Sequence, residues 1–497
     1  MPSILALDQG TTGSTALVIH QNGRVLGRGY REFTQRFPQP GWVEHDAEEI
    51  FRVSVEAMRE ALSGTERPAA LGITNQRETV VLWDRRTLVP VAPAIVWQDR
   101  RTTERCRELR EAGLEPMLRE HTGLVADPYF SATKLEWLLR DSGLRRRAAR
   151  GELAAGTIES WLVAKLTGGR VHASDHTNAS RTLLYDIRSR DWDADLLALF
   201  GVPREVLPSL VSSSGMVGEA DSSHLGFSIP IGGLAGDQQA ALFGQGCVAP
   251  GLAKNTYGTG AFLLVVAGPS TPQPAKGLLA TVACGPRGEA WYALEGSVFI
   301  AGAAIQWLRD GLQIITNAAE SETLARSVPD TGGVYLVPAF VGLGTPYWEP
   351  EARGTITGIT RGTTRAHLVR AALEAMAYGS AELLATMASA EHLSVPALRV
   401  DGGAAANDWL MQFQADVLNI PVERPDLIET TALGAAGLAG LAAGVWKTAE
   451  EFLAGRRFTR FQPRMKSEER LAGLAGWRRA VETSLAWAQG TGHGISH

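Results

Sequence analysis

Apolar and polar positions alternate along the chain in blocks that switch between strand and helix spacing. Ile4-Leu5-Ala6-Leu7 and Ala16-Leu17-Val18-Ile19 are short continuous apolar runs, the pattern of buried strands, and they flank the polar segment Asp8-Gln9-Gly10-Thr11-Thr12-Gly13-Ser14. Gln21-Asn22-Gly23 carries a hairpin signal into Val25-Leu26-Gly27-Arg28, so the chain opens as a β-meander. Ile50, Val53, Ala57, Met58 and Ala61 recur at helical spacing, and Leu71-Gly72-Ile73-Thr74 predicts a strand that ends in Asn75-Gln76-Arg77-Glu78. Residues 138–154 read as a basic, solvated helical region and 151–167 as a further helix. Ile229-Pro230-Ile231-Gly232-Gly233-Leu234 predicts a strand, Gly236 a turn, and Gln239 to Leu242 the start of a helix that runs to about Gln245. In the second half, residues 261–266 form an apolar strand, 354–361 are β-like, and Leu368, Ala372, Leu373 and Met376 mark one helical face.

Asp237 therefore falls at the carboxyl end of a strand and beside a helix N-terminus, the edge at which open α/β sheets bind ligands. A plain helix N-cap is the competing reading for an Asp in that position. Two further glycine-rich turns bear on the choice. Lys254-Asn255-Thr256-Tyr257-Gly258-Thr259-Gly260 precedes a strand much as Gly10-Thr11-Thr12-Gly13 does, so two halves each present a Gly/Thr hairpin suited to a phosphate chain. Leu398-Arg399-Val400 runs into Asp401-Gly402-Gly403-Ala404-Ala405-Ala406-Asn407, where the backbone allows close approach of an adenosine and the Asn407 amide is suited to the base.

Other candidates carry chemistry with a bland alternative. Arg77 and Glu78 offer a donor and an acceptor for substrate hydroxyls, or a surface ion pair. Trp97 can pack on carbon-bound hydrogens, and Tyr129 can supply a phenol or serve as a rim aromatic. His172, Asp175 and His176 are close in sequence but read as a polar loop, not a metal site.

Composition narrows the class. A chain of 497 residues exceeds one compact core. The net charge of -5 gives no case for nucleic acid or an anionic membrane as main partner. Three cysteines without metal spacing and no apolar leader point to a reducing, cytoplasmic setting. The longest uncharged run, 430–446, is short for a membrane span and predicts a closely packed core helix, so no membrane insertion is expected.

Taken together, Asp8-Gln9-Gly10-Thr11-Thr12, Gly41-Trp42-Val43-Glu44-His45-Asp46, Ile73 to Thr79, Ala235-Gly236-Asp237-Gln238-Gln239, Asn255 to Gly260, Tyr292 to Gly296, Asp401 to Ala404 and Glu429 to Ala436 resemble the FGGY carbohydrate kinases over nearly the whole chain. The resemblance implies an α/β fold of two actin-like (ribonuclease H-like) ATPase domains, 1–246 and 247–497, with mixed sheets flanked by helices and the active site in the cleft between them. It implies ATP-dependent phosphorylation of glycerol to sn-glycerol 3-phosphate, with Arg77, Glu78, Tyr129, Asp237 and Gln238 on the hydroxyls and Trp97 and Phe262 on the carbon face. Asp237 is the implied general base. Thr11, Thr12, Gly13, Thr259, Gly302, Gln306, Gly403, Ala404 and Asn407 are the implied nucleotide contacts, Asp8 and Asp237 the implied acids around Mg²⁺. A homodimer or homotetramer is the implied assembly. One residue departs from the pattern: Thr15 stands where an arginine aimed at the nucleotide phosphates is expected. His224 lacks the surroundings of a phosphorylated regulatory histidine and reads as a surface residue. Two rivals remain: a kinase of the same family acting on a pentulose or other polyol, and an actin-fold ATPase whose closure drives partner binding.

Overall fold

The computed structural model describes residues 2–273, 277–349 and 351–490. Its first half is built on strands β1 (Ser3–Gln9), β2 (Gly13–His20) and β3 (Val25–Glu32), helix α1 (Ala47–Leu62), β4 (Ala70–Asn75), α2 (Ser131–Leu138), β5 (Ser214–Ala220), β6 (Ile229–Gly236) and α3 (Asp237–Gly244). The sheet order is β5-β6-β4-β1-β2-β3, in which β1, β4 and β6 run parallel and the outer strands antiparallel. Ile4, Leu5, Ala6 and Leu7 are all fully buried because layers cover both faces of β1, which is why the strand reads as continuous rather than alternating. Helix α1 lays Ile50, Val53, Ala57, Met58 and Ala61 on one face and is capped by Asp46, whose side chain accepts from the Glu48 and Glu49 amides.

The second half repeats the plan. It contains β7 (Ala253–Tyr257), β8 (Ala261–Gly268), β9 (Leu279–Cys284), β10 (Ala290–Val298), α4 (Gly302–Asp310), α5 (Arg365–Ala390), β11 (Leu398–Asp401), α6 (Asp408–Leu418), β12 (Val422–Pro425), α7 (Thr430–Ala442) and β13 (Phe458–Phe461). Its sheet order is β9-β10-β8-β7-β11-β12-β13, with β7, β11 and β12 parallel. In both halves a hairpin with a Gly/Thr turn is flanked on one side by parallel strands.

Helix α7 belongs late in the chain yet packs on the first sheet and on α3, where Leu433, Ala436, Leu438 and Ala439 meet Ile4, Ala6, Ala70 and Phe243. The approach is so close that a Cβ at Gly434 would lie 1.8 Å from the Ala240 carbonyl oxygen, which accounts for its glycine and alanine content. Among the described residues no helix is long and apolar enough to cross a membrane.

Two expectations change. Residues 151–167 are not one helix: Leu153–Thr157 is a fully buried strand antiparallel to Val80–Asp84, and the helix is Ile158–Leu166. Pairing with a neighbouring strand overrides the weak β preference of Ala154-Ala155-Gly156. The β-like stretch 354–361 shortens to the three-residue strand Thr355–Thr357.

Candidate functional site

Register brings distant acids together. Gln9 of β1 and Gly236 of β6 both pair with Asn75 of β4, so three parallel strands end at one level. Asp8, the Arg77-Glu78 turn and Asp237 are therefore presented along one carboxyl edge. The cap of α3 is Gly236, not Asp237; Asp237 is the first helical residue, and its Oδ1 accepts from the Gln238 amide at 2.7 Å.

Arg77 and Glu78 are not a surface pair. Both are buried, and the Arg77 guanidinium donates to Glu295 at 2.6 and 3.1 Å, lies 3.4 Å from Asp237 Oδ1 and 3.6 Å from Glu78 Oε1, and donates to the Tyr129 hydroxyl at 3.3 Å. A second guanidinium, Arg181, donates to Glu78 at 2.6 Å and to Glu295 at 2.9 Å. Two arginines and two glutamates thus form a buried quartet in which Glu295, on β10, reaches the first half from the second sheet. Burial alone would raise Glu295; Arg181 and Arg77 overcome it and hold the carboxyl at about 2. Glu78 remains raised, burial outweighing its two arginines.

Asp8 is pushed up to about 7, first by burial and then by the negative charge of Asp237. Asp237 is also raised by the protein packed around it, against the opposing pull of Arg77 and Lys254, and keeps 31 % of its side chain exposed. Lys254 donates to Gln238 Oε1 at 2.5 Å and to Thr256 Oγ1 at 2.7 Å, which ties the acid edge to β7 of the second half. Asp8, which feels the negative charge of Asp237, and Asp237 itself form an oxygen donor set that suits a hard divalent cation such as Mg²⁺.

The aromatic wall assembles as well. The Trp97 indole donates to Thr11 Oγ1 at 2.9 Å and packs edge-on against Tyr129 at 5.6 Å. Phe262, half-buried on β8, is the register partner of Thr256. In the first turn the Gly10 amide donates to the Gly13 carbonyl at 2.9 Å, Gly13 is buried, and Thr12 is exposed at the tip. Thr15 sits directly opposite Asp8 across β1 and β2.

The second turn anchors a separate set of candidates. The Thr259 carbonyl accepts from the Ala301 and Ala303 amides at 2.8 and 3.1 Å, and Gly302 donates to the Gly258 carbonyl at 3.0 Å, so α4 starts against the hairpin and carries Gln306 exposed. Gly402 has φ 84° and would place a Cβ 2.3 Å from the Tyr257 carbonyl oxygen, whereas nothing lies within 4 Å of a Cβ at Gly403. The first glycine is demanded by the fold; the second, with Ala404 next to it, borders open space. Asn407 departs from its expected use: its Oδ1 caps α6 by accepting from the Leu410 amide at 2.9 Å, and its Nδ2 donates to Ser321 Oγ at 3.5 Å, so one Nδ2 hydrogen is left for a base.

His172, Asp175 and His176 do not converge, because His172 bonds the Ala155 carbonyl, His176 the Tyr185 hydroxyl, and Asp175 the Thr177 and Asn178 amides. The His224 ring packs edge-on against Phe51. Sequence reasoning missed Arg181, Glu295, Lys254 and Lys134, all buried. The available signal was a lone charge in an otherwise uncharged run, as in Ala290–Val298, since such charges are buried only when paired.

Comparison with known proteins agrees with this architecture. Residues 3–244 match the FGGY family of carbohydrate kinases, N-terminal domain, and residues 253–443 its C-terminal domain. The chain is 54 % identical to a glycerol kinase of Carboxydothermus hydrogenoformans over 97 % of its own length and 98 % of the relative's. It is 53 % identical to glycerol kinase 2 of Thermotoga maritima, covering 98 % and 99 %. The crystal structure of Plasmodium falciparum glycerol kinase with ADP superposes with a TM-score of 0.93 at 35 % identity, covering 98 % of each chain. The chain belongs to the FGGY family of carbohydrate kinases.

Proposed function

We propose that this chain transfers the γ-phosphoryl group of ATP to glycerol, giving sn-glycerol 3-phosphate and ADP. The observation that carries the reading is the convergence of Asp237, Arg77, Glu78, Tyr129 and Gln238 on one sheet edge beside the first Gly/Thr turn. Near full-length similarity to proteins named glycerol kinase supports glycerol over a ketose as the acceptor.

A small triol offers only hydroxyl groups and a narrow apolar edge. Arg77 donates to acceptor oxygens, Glu78 accepts from hydroxyls, Tyr129 and Gln238 complete the polar lining, and Trp97 and Phe262 cover the carbon face. Asp237 accepts the proton of the attacking hydroxyl as that oxygen bonds to the γ-phosphorus and the bond to ADP breaks. Its raised proton affinity suits that transfer. Thr11, Thr12 and Gly13 from the first half and Thr259 from the second hold the phosphates. Gly302, Gln306, Gly403, Ala404 and the Asn407 Nδ2 face the nucleoside. Asp8 and Asp237 would hold Mg²⁺, whose charge neutralises the phosphate oxygens. The halves, divided near residue 246, close on the two substrates. A cytoplasmic setting and a homodimer or homotetramer complete the proposal, the former supported by three buried, unpaired cysteines.

The test is ADP release from Mg·ATP with glycerol, dihydroxyacetone, xylulose, ribulose or no acceptor, with the product identified by mass. Glycerol phosphate formed with glycerol-dependent release is the expected result. Release with a ketose alone overturns the acceptor assignment, and acceptor-independent release favours a partner-driven ATPase.

A further inference from the structure

Glu78 is held in a backbone conformation that residues with a side chain seldom adopt. Its φ is 61°, and the Thr79 amide donates to the Arg77 carbonyl at 2.8 Å, so residues 77–79 form a γ-turn. Such a turn persists only where its surroundings over-determine it. The surroundings here are the start of α2. The Glu78 carbonyl accepts from Ser131 Oγ at 3.1 Å and from Lys134 Nζ at 3.3 Å. The same ammonium donates to the Tyr129 carbonyl at 2.6 Å and the Phe130 carbonyl at 3.3 Å. Lys134 is fully buried, and its three donors meet three backbone carbonyls from two segments of the chain.

We propose that Lys134 is a positioning residue for the acceptor pocket: one buried ammonium pins the Glu78 turn and the Tyr129 backbone together and so sets the spacing of the two side chains that face the substrate. The inference rests on the proposed placement of glycerol against Glu78 and Tyr129. Lys134 touches no substrate. A neutral donor could not replace it, because only an ammonium offers three donors on one atom to carbonyls that converge from different directions.

The experiment compares Lys134→Met, Glu78→Ala and the double variant in the full chain. Lys134→Met keeps the length and the apolar stem and removes all three donors. KM for glycerol is expected to rise on the order of tenfold to a hundredfold, the range for a misplaced substrate contact, with KM for ATP and kcat at saturating glycerol nearly unchanged. In the double variant the combined loss falls short of the product of the single losses, since the two act through one contact. A fall in kcat with both KM values unchanged, or fully multiplicative losses, overturns the proposal. If Lys134→Met does not fold, Ser131→Ala, which removes one donor from the Glu78 carbonyl, is expected to raise the glycerol KM about threefold, and an unchanged KM overturns the proposal. A raised KM in Glu78→Ala with none in Lys134→Met sinks this inference alone; an unchanged KM in Glu78→Ala overturns the pocket assignment and the inference with it.

Discussion

The two halves share one frame and place their acids differently. In each, a hairpin has an antiparallel strand on one side and two parallel strands on the other, in the order β3-β2-β1-β4-β6 and β10-β8-β7-β11-β12. Two residues before the turn glycine the first half has Asp8, paired in register with Thr74, and the second has Thr256, paired with Asp401. Acid and threonine have changed places across the parallel pair. Asp401 is then spent on structure, accepting from Gln245 Nε2 at 2.8 Å and from the Thr430 hydroxyl. Asp8 instead shares its edge with Asp237 and is raised by burial and by that second charge. A duplicated scaffold thus carries acid chemistry on one side and offers hydroxyls and bare backbone on the other.

The contrast can be tested from either side. Asp237→Asn is expected to lower kcat on the order of 10²–10⁴-fold while ATP binding and the unfolding midpoint hold; near-normal turnover removes the residue from the reaction. Glu295→Ala removes the acid that joins the halves and leaves the buried Arg77 and Arg181 guanidiniums to share Glu78, with Asp237 beside Arg77 alone, for about 3–5 kcal/mol of stability by chemical denaturation. On the other side, Gly402→Ala is expected to cost about 1–3 kcal/mol from its left-handed φ alone, before the clash with Tyr257. Its neighbour provides the control: Gly403→Ala leaves stability within about 0.5 kcal/mol and raises KM for ATP. Equal effects at the two glycines would end the distinction between fold-demanded and ligand-facing backbone. The last test is a pH slope. Burial holds Lys134 at about 8 against 10.5 for the free amine. Between those values the unfolded chain binds more protons, so this residue's contribution makes stability rise with pH by at most about 1.4 kcal/mol per unit. Denaturation curves of wild type and Lys134→Met from pH 8 to 10.5 read it directly.

Much of this frame was legible because glycine marks it. The strands before Gly10, Gly236 and Gly402 announce themselves as apolar runs that stop at a turn, and the helical face of α1 lies where its periodicity puts it. The strand Leu153–Thr157 was hidden because its residues carry no β-branched signal until Thr157, and only its pairing with Val80–Asp84 makes it a strand. The quartet was hidden for a different reason. Arg77 and Glu295 are 218 positions apart and Arg181 and Glu78 103, so no local period connects them. Asp237 was found by its place at a strand end; the partners that set its charge environment come from elsewhere in the chain, Arg77 from the turn after β4 and Lys254 from β7.

Helix α7 has a consequence for the order in which the molecule can be made. A ribosome finishes β1 through β6 long before it reaches Thr430, so the face formed by Ile4, Ala6, Leu17, Ile19 and Ala70 waits without its roof for about two-fifths of translation. A chain stopped near residue 246 would hold every strand of the first sheet and still be sticky. Until then that apolar face is without its covering helix, which comes from near the end of the second half.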